Sequence, residues 1–118
     1  MFEKLVFLRE LLLCGNRLTF LPEGIGELGS LKDLKLYWNK ITELPDSIGN
    51  LSNLQFFSVS YNQLESLPIQ ITKLKKLQEF YFHDNNIKSL PKEIEIWLDY
   101  LRETGCDFIF PPKTDKIN

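Results

Sequence analysis

Residues 44–66 read LPDSIGNLSNLQFFSVSYNQLES, and the segments on either side repeat the same 23-residue pattern. Each complete repeat carries a Leu-Pro pair, an isoleucine three positions after the proline, and an asparagine near its end. The prolines are Pro22, Pro45, Pro68 and Pro91, and the asparagines are Asn16, Asn39, Asn62 and Asn85. A fixed step of this length predicts that the chain is a stack of equivalent units, each packed on the next.

Each unit contains a short strand and a return segment. Leu34 and Leu36 alternate with other residues, which is the pattern of a half-buried strand. Because the strands recur every 23 residues, we expect them to lie parallel and side by side, about 4.8 Å apart. From Pro45 to Leu54 an apolar residue stands at every third position. This spacing predicts a helical turn or 3₁₀ segment with the proline at its first position.

The complete unit, L-P-x-x-I-x-x-L-x-x-L-x-x-L-x-L-x-x-N-x-[LI]-x-x, resembles the leucine-rich repeat family over residues 2 to about 98. It is similar to the 23-residue LPxxI type found in Ras-suppressor-like proteins, membrane scaffolds and bacterial repeat proteins. The resemblance implies an α/β fold: a right-handed solenoid with a curved, short parallel sheet on the concave side and helical turns on the convex side. It also implies a protein partner, for which a small GTPase is one candidate, or a scaffolding role.

The composition fits a single domain of this kind. The 118 residues include 21 leucines and no alanine, so one kind of apolar slot is filled repeatedly. With 14 basic and 16 acidic residues, the net charge of −2 provides no basic field for nucleic acid. No apolar run approaches the ~18 residues of a membrane span. Two cysteines and no secretion signal favour a cytoplasmic protein, with a secreted or surface form as the alternative.

The repeats are expected to fill residues 1–91, with the first repeat incomplete. The C-terminal segment departs from the pattern, because Ile94, Trp97, Leu98 and Leu101 have the spacing of an amphipathic helix. This helix should begin after Pro91 and end at Gly105. Together with a fifth parallel strand at 108–110 it is predicted to form a C-terminal cap over residues 92–112. Residues 113–118 are expected to be a frayed polar tail.

The N-terminal strand has no polar cap in front of it. We expect Phe2 and Phe7 to form a rudimentary cover. Otherwise the chain is a fragment, or this edge of the sheet pairs with another copy of the chain. The asparagine column, by contrast, is predicted to be structural, because a side-chain amide can satisfy backbone groups where the chain leaves each strand.

The concave side is where a partner is expected to bind. Side chains between and beside the inward leucines point to this side, and its middle is aromatic. Large aromatics on an exposed sheet are typical of binding hot spots. We predict a partner-binding surface with Trp38 and Tyr61 as its anchors. Its residues are Lys35, Tyr37, Trp38, Phe56, Ser58, Tyr61, Tyr81 and His83.

Catalysis is not expected. Cys14 and His83 share a column but stand three strands apart, roughly 14 Å, whereas a nucleophile and its base need contact within ~3 Å. Cys14 and Cys106 lie near opposite ends of the stack, too far apart for a disulfide. One histidine cannot build a zinc site, and no glycine-rich phosphate loop is present. The sequence therefore predicts no enzyme, no metal and no cofactor.

The first functional hypothesis is a non-catalytic module that binds a protein or peptide on its concave aromatic face. A second is a structural unit that self-associates through the uncapped N-terminal strand. A third is the recognition part of a larger enzyme, such as a ligase or kinase.

Overall fold

A computed structural model describes residues 7–107. Within this range, four three-residue strands form one parallel sheet in chain order, namely β1 (Glu10–Leu12), β2 (Asp33–Lys35), β3 (Phe56–Ser58) and β4 (Glu79–Tyr81). Neighbouring strands pair with a constant offset of one repeat, so that Leu11, Leu34, Phe57 and Phe80 are successive partners. This register confirms the predicted α/β repeat fold with a parallel sheet.

The return segments are 3₁₀ helices at Glu23–Glu27, Asp46–Asn50 and Ile69–Lys73. Each is preceded by its proline, so the prediction of proline at the first helical position was wrong by one residue. Pro45, for example, has a φ of −71° and an extended ψ of 153°, which keeps it outside the helix. Its carbonyl oxygen nevertheless accepts a hydrogen bond from the Ile48 N–H at 3.0 Å. The ring pre-sets φ, and the missing N–H costs no bond at this place.

The core lies between the sheet and the 3₁₀ segments. Leucine and isoleucine columns fill it in the early repeats, and aromatic side chains replace them towards the C-terminus. Phe80 is fully buried and packs on Phe57, Phe82 and Trp97, with ring centroids 5.6, 4.7 and 5.5 Å away. One contiguous apolar cluster therefore runs through the stack, as expected where no single repeat can bury its own side chains.

A helix, α1 (Lys92–Glu103), covers the C-terminal end of this core with Ile94, Trp97, Leu98 and Leu101. Gly105 follows with a φ of +91°, a conformation that glycine adopts without steric cost. Its N–H donates to the Arg102 carbonyl, and the Cys106 N–H donates to the Leu101 carbonyl. These two bonds form a Schellman motif, which satisfies the last carbonyls of the helix. Within residues 7–107, no helix has the length and apolar character to cross a membrane.

The two ends of the core differ in cover. At the N-terminal end Leu8, Leu11 and Leu13 are only partly buried, and Phe7 is 85% exposed. The prediction that Phe7 covers this strand was therefore wrong; Phe2 lies outside the described residues. At the other end Asp107 pairs in parallel with Glu79. The predicted fifth strand at 108–110 and the tail at 113–118 also lie outside the described residues.

A glycine allows adjacent 3₁₀ segments to pack closely. A Cβ on Gly49 would overlap the Gln70 carbonyl oxygen of the next repeat, which is backbone and cannot swing away. We expect Gly49→Ala to lower the free energy of unfolding by about 1–3 kcal/mol. Gly29→Ala is the matched control, because a Cβ there meets nothing within 4 Å. Urea denaturation should leave the control within about 1 kcal/mol of the parent protein. Equal losses in both variants would contradict the close packing.

Candidate binding surface on the concave face

The strands turn alternate side chains away from the core. Leu34 and Leu36 point inward and are fully buried, whereas Lys35 and Tyr37 are only half-buried. The Lys35 ammonium lies 5.1 Å from the centre of the Phe56 ring, and Phe56 packs at a tilt on Tyr81 at 5.7 Å. Neighbouring strands pair with a constant offset of one repeat. Because this register does not change along the sheet, these side chains lie next to one another in a continuous row.

Trp38 and Tyr61 form a stacked pair just beyond the ends of β2 and β3. Their ring centroids are 4.4 Å apart and their planes differ by 2°. Trp38 is 60% exposed and Tyr61 is 39% exposed. The edge of the His83 ring meets Tyr61 at 5.3 Å, which extends the aromatic surface into the fourth repeat. The chain therefore presents a solvent-accessible aromatic surface that the core does not require.

Both stacked residues have a left-handed backbone. The φ angle is +62° at Trp38 and +57° at Tyr61, and it is +70° at Gly15 and +59° at Asp84 in the equivalent positions. Glycine adopts this conformation readily and aspartate tolerates it, but a bulky residue is strained by about 1–2 kcal/mol. Sequence reasoning missed this feature. Its signal was the column itself, in which Trp38 and Tyr61 are flanked by Gly15 and Asp84, residue types that suit a positive φ.

The asparagine that follows each of these residues holds the turn in place. The Asn39 Oδ1 accepts hydrogen bonds from the N–H groups of Asn16 and Leu18, both at 2.9 Å. Its Nδ2 donates to the Leu13 and Leu36 carbonyls, also at 2.9 Å. Asn62 and Asn85 bridge neighbouring repeats in the same manner. These bonds link two repeats and over-determine the backbone of the turn, so that it can retain a strained residue.

Tyr81 and His83 sit among carboxylates in the fourth repeat. The Tyr81 hydroxyl is 2.9 Å from Glu79 Oε1 and 3.1 Å from Asp107 Oδ2, and it can donate its single proton to only one of them. Burial and these two acceptors raise the pKa of Tyr81. His83 Nδ1 lies 2.8 Å from Asp84 Oδ2. This end of the surface is therefore acidic, and Tyr81 stays protonated in the ordinary pH range.

Two serines of the third repeat are buried instead of exposed. Ser58, one of the predicted contact residues, is 4% exposed and therefore offers little surface to a partner. It is recessed because the side chains at the same position of adjacent repeats, Lys35 and Tyr81, are much longer. Ser60 is also buried, and its hydroxyl is the one buried side-chain polar atom without a hydrogen-bond partner in the described part of the chain. The remaining seven predicted residues are exposed or half-buried.

The Cys106 thiol is buried and is not activated. Burial, followed by the charges of Asp107 and Glu79, raises the pKa of Cys106 to about 11, so the thiol stays protonated at neutral pH. Both cysteines are free, and a hydrogen bond with the Cys14 side chain is the main cause of a raised pKa at Tyr37. Within residues 7–107, no group of three or more histidine, cysteine or acidic residues is arranged to hold a metal ion.

The stacked repeats and the exposed parallel sheet place this chain among the solenoid repeat proteins. In this class the stacked units create an extended concave surface. The sequence model described as a leucine-rich repeat region matches residues 1–79, and the chain therefore belongs to the leucine-rich repeat family. This family is generally non-enzymatic, and its members typically bind proteins.

A solved leucine-rich repeat protein of Leptospira interrogans is similar to this chain, with 41% sequence identity and a TM-score of 0.75. The similarity covers 87% of this chain and 25% of that protein, so the chain spans about a quarter of that protein's length. No curated protein is significantly similar to the chain.

Proposed function

We propose that this protein is a non-catalytic interaction module that binds a protein or peptide on its concave aromatic surface. The contacting residues in this proposal are Lys35, Tyr37, Trp38, Phe56, Tyr61, Tyr81 and His83. The observation that carries the proposal is the exposed stack of Trp38 and Tyr61 on a left-handed backbone.

This stack lowers the stability of the folded protein in two ways. Each of the two residues bears backbone strain of about 1–2 kcal/mol, and large apolar rings remain in water. Gly15 and Asp84 show that the same turn forms without an aromatic residue. Strained backbone that persists without a structural need is a feature of ligand-binding sites. Stacked aromatic rings, in turn, offer much contact area at low entropic cost, as binding hot spots require.

The test is a Trp38→Gly, Tyr61→Gly double substitution. Relief of the backbone strain should offset the lost stacking, which is worth about 0.5–1.5 kcal/mol, together with the conformational entropy of two new glycines, about 0.5–1 kcal/mol each. We therefore expect the free energy of unfolding to stay within about 1 kcal/mol of the parent value, while capture of partners from a lysate of the native cells falls at least tenfold. A Trp38→Ala, Tyr61→Ala protein should be less stable than the double glycine protein by about 1 kcal/mol per site, because alanine retains the backbone strain.

The control variant removes exposed apolar side chains elsewhere. Ile69 and Ile96 are 42% and 58% exposed, and they lie in a 3₁₀ segment and in α1. An Ile69→Ala, Ile96→Ala protein should capture the same partners as the parent protein. If the double glycine variant also captures them undiminished, the concave surface is not the binding site. A purified small GTPase is one candidate partner to include directly.

Self-association through β1 is the rival proposal for the exposed apolar surface. It is supported by Leu12, which is 54% exposed, and by the partial burial of Leu11 and Leu13. Sedimentation at several protein concentrations distinguishes the two proposals. A protein that stays monomeric at every concentration contradicts self-association through β1.

A further inference from the structure

The aromatic stack ends at Trp38, although its column continues to Gly15. The N–H groups of Gly15, Trp38 and Tyr61 donate to Tyr37, Ser60 and His83 carbonyls at 3.2, 3.1 and 3.1 Å. The three residues therefore occupy equivalent backbone positions in successive repeats. Because Trp38 stacks on Tyr61 at 4.4 Å, a third ring at the level of Gly15 would lie at one further stacking distance.

Among residues 7–107, no side chain crowds the Cβ position of Gly15. A Cβ placed on Gly15 meets no atom within 4 Å. One face of the Trp38 ring is covered by Tyr61, and the side chain is nevertheless 60% exposed. The opposite face of the indole is thus open to a planar group, with the glycine backbone as the floor beside it.

Two cations follow the column of Gly15 and Trp38 at the same spacing in the sequence. Arg17 follows Gly15 by two residues, and Lys40 follows Trp38 by two residues, so they occupy the same column in adjacent repeats. Both are exposed, and neither forms an ion pair within residues 7–107. The acidic Asp84 belongs to the column of Trp38 but lies two repeats further on, where it contacts His83. The side chains two residues after Gly15 and Trp38 are therefore both cationic.

We propose that the partner is an acidic peptide segment that inserts an aromatic side chain onto the open face of Trp38, above Gly15. This inference rests on the proposed function and specifies its partner. The inserted ring extends the stack of Trp38 and Tyr61 by one member, and flanking carboxylates pair with Arg17 and Lys40. Stacking supplies most of the affinity, since exposed ion pairs contribute little each.

The experiment uses three labelled pentapeptides with blocked ends. The first has a tyrosine flanked on each side by two glutamates, the second replaces the glutamates with lysines, and the third replaces the tyrosine with leucine. Fluorescence anisotropy should give at least fivefold tighter binding for the first peptide than for either of the others. Acrylamide quenching of Trp38 should fall on binding, and Trp97 will not confuse the signal because it is buried and donates to the Leu74 carbonyl.

Matched variants locate the binding. Gly15→Asn fills the opening with a residue that tolerates a positive φ, and should weaken the first peptide at least fivefold. Gly105→Asn is its control, because Gly105 also has a positive φ and open space around it, at the end of α1. Arg17→Gln with Lys40→Gln should weaken binding severalfold and reduce its salt dependence. Lys73→Gln with Lys92→Gln makes the same charge change on other exposed lysines and should have no effect.

The outcomes separate this inference from the proposed function. The inference is supported if the protein prefers the first peptide and if two changes weaken this binding. These changes are Gly15→Asn and the double substitution Arg17→Gln, Lys40→Gln. Binding that is weakened only by the Trp38→Gly, Tyr61→Gly double substitution overturns the opening above Gly15 but leaves the concave surface as the site. Equal binding of all three peptides, or none at millimolar peptide, overturns the inference, and the capture experiment then decides on the concave surface independently.

Discussion

An Asn62→Asp substitution will lower the free energy of unfolding by about 3 kcal/mol at neutral pH, since a buried charge that faces carbonyl oxygens and has a single backbone donor is strongly unfavourable. The Asn62 Nδ2 donates to the carbonyls of Leu36, Val59 and Ser60 at 3.0–3.1 Å, and its Oδ1 accepts from the Ile41 N–H. Aspartate keeps the acceptor but places a negative charge against three carbonyl oxygens. Chemical denaturation measures the loss.

The pH dependence of this variant follows from the same contacts. Burial and the carbonyl oxygens should raise the pKa of the new carboxyl in the folded state above its ordinary value of about 3.9. Between the unfolded and the folded pKa, the folded state binds more protons, so the free energy of unfolding falls as pH rises through this window. Stability relative to the parent protein should therefore recover in acid, below the unfolded pKa.

Asn16→Asp is the matched control, because Asn16 is exposed and its amide makes one bond, to the Cys14 carbonyl at 3.1 Å. This variant should lose less than about 1 kcal/mol and show little dependence on pH. Equal losses for Asn16→Asp and Asn62→Asp would mean that the buried amide column does not hold the repeats together.

A Phe80→Ala substitution will cost about 3–5 kcal/mol, because it removes a fully buried ring and leaves a cavity. Phe80 joins the sheet to α1 through Trp97 and also packs on Phe57 and Phe82. The emission of Trp97 should shift to longer wavelength as its packing loosens. Urea denaturation gives the loss in free energy.

Phe20→Ala provides the comparison for Phe80→Ala, since Phe20 is 64% exposed. Its free energy of unfolding should change by no more than about 0.5 kcal/mol. A loss below about 1 kcal/mol for Phe80→Ala would contradict the docking of α1 on the aromatic end of the core.

Much of the fold and part of the surface follow from residue spacing. The pairing of Leu34 with Phe57 follows directly from the repeat length, because side chains one repeat apart become neighbours in a parallel stack. The same arithmetic places Trp38 beside Tyr61. The helix after Pro91 is also readable, since Ile94, Trp97 and Leu101 share one face.

Other features depend on what surrounds a residue in three dimensions. Ser58 is buried only because longer side chains flank it on both adjacent strands, whereas Phe7 remains exposed despite its apolar character. Spacing alone gives neither the left-handed φ at Trp38 nor the 2° angle between its ring and Tyr61. A periodic pattern carries the position of each residue in the stack. The exposure of a residue, its backbone strain and the orientation of its ring depend on the sizes of the neighbouring side chains and on the hydrogen bonds around it. These neighbours come together only when the repeats have packed.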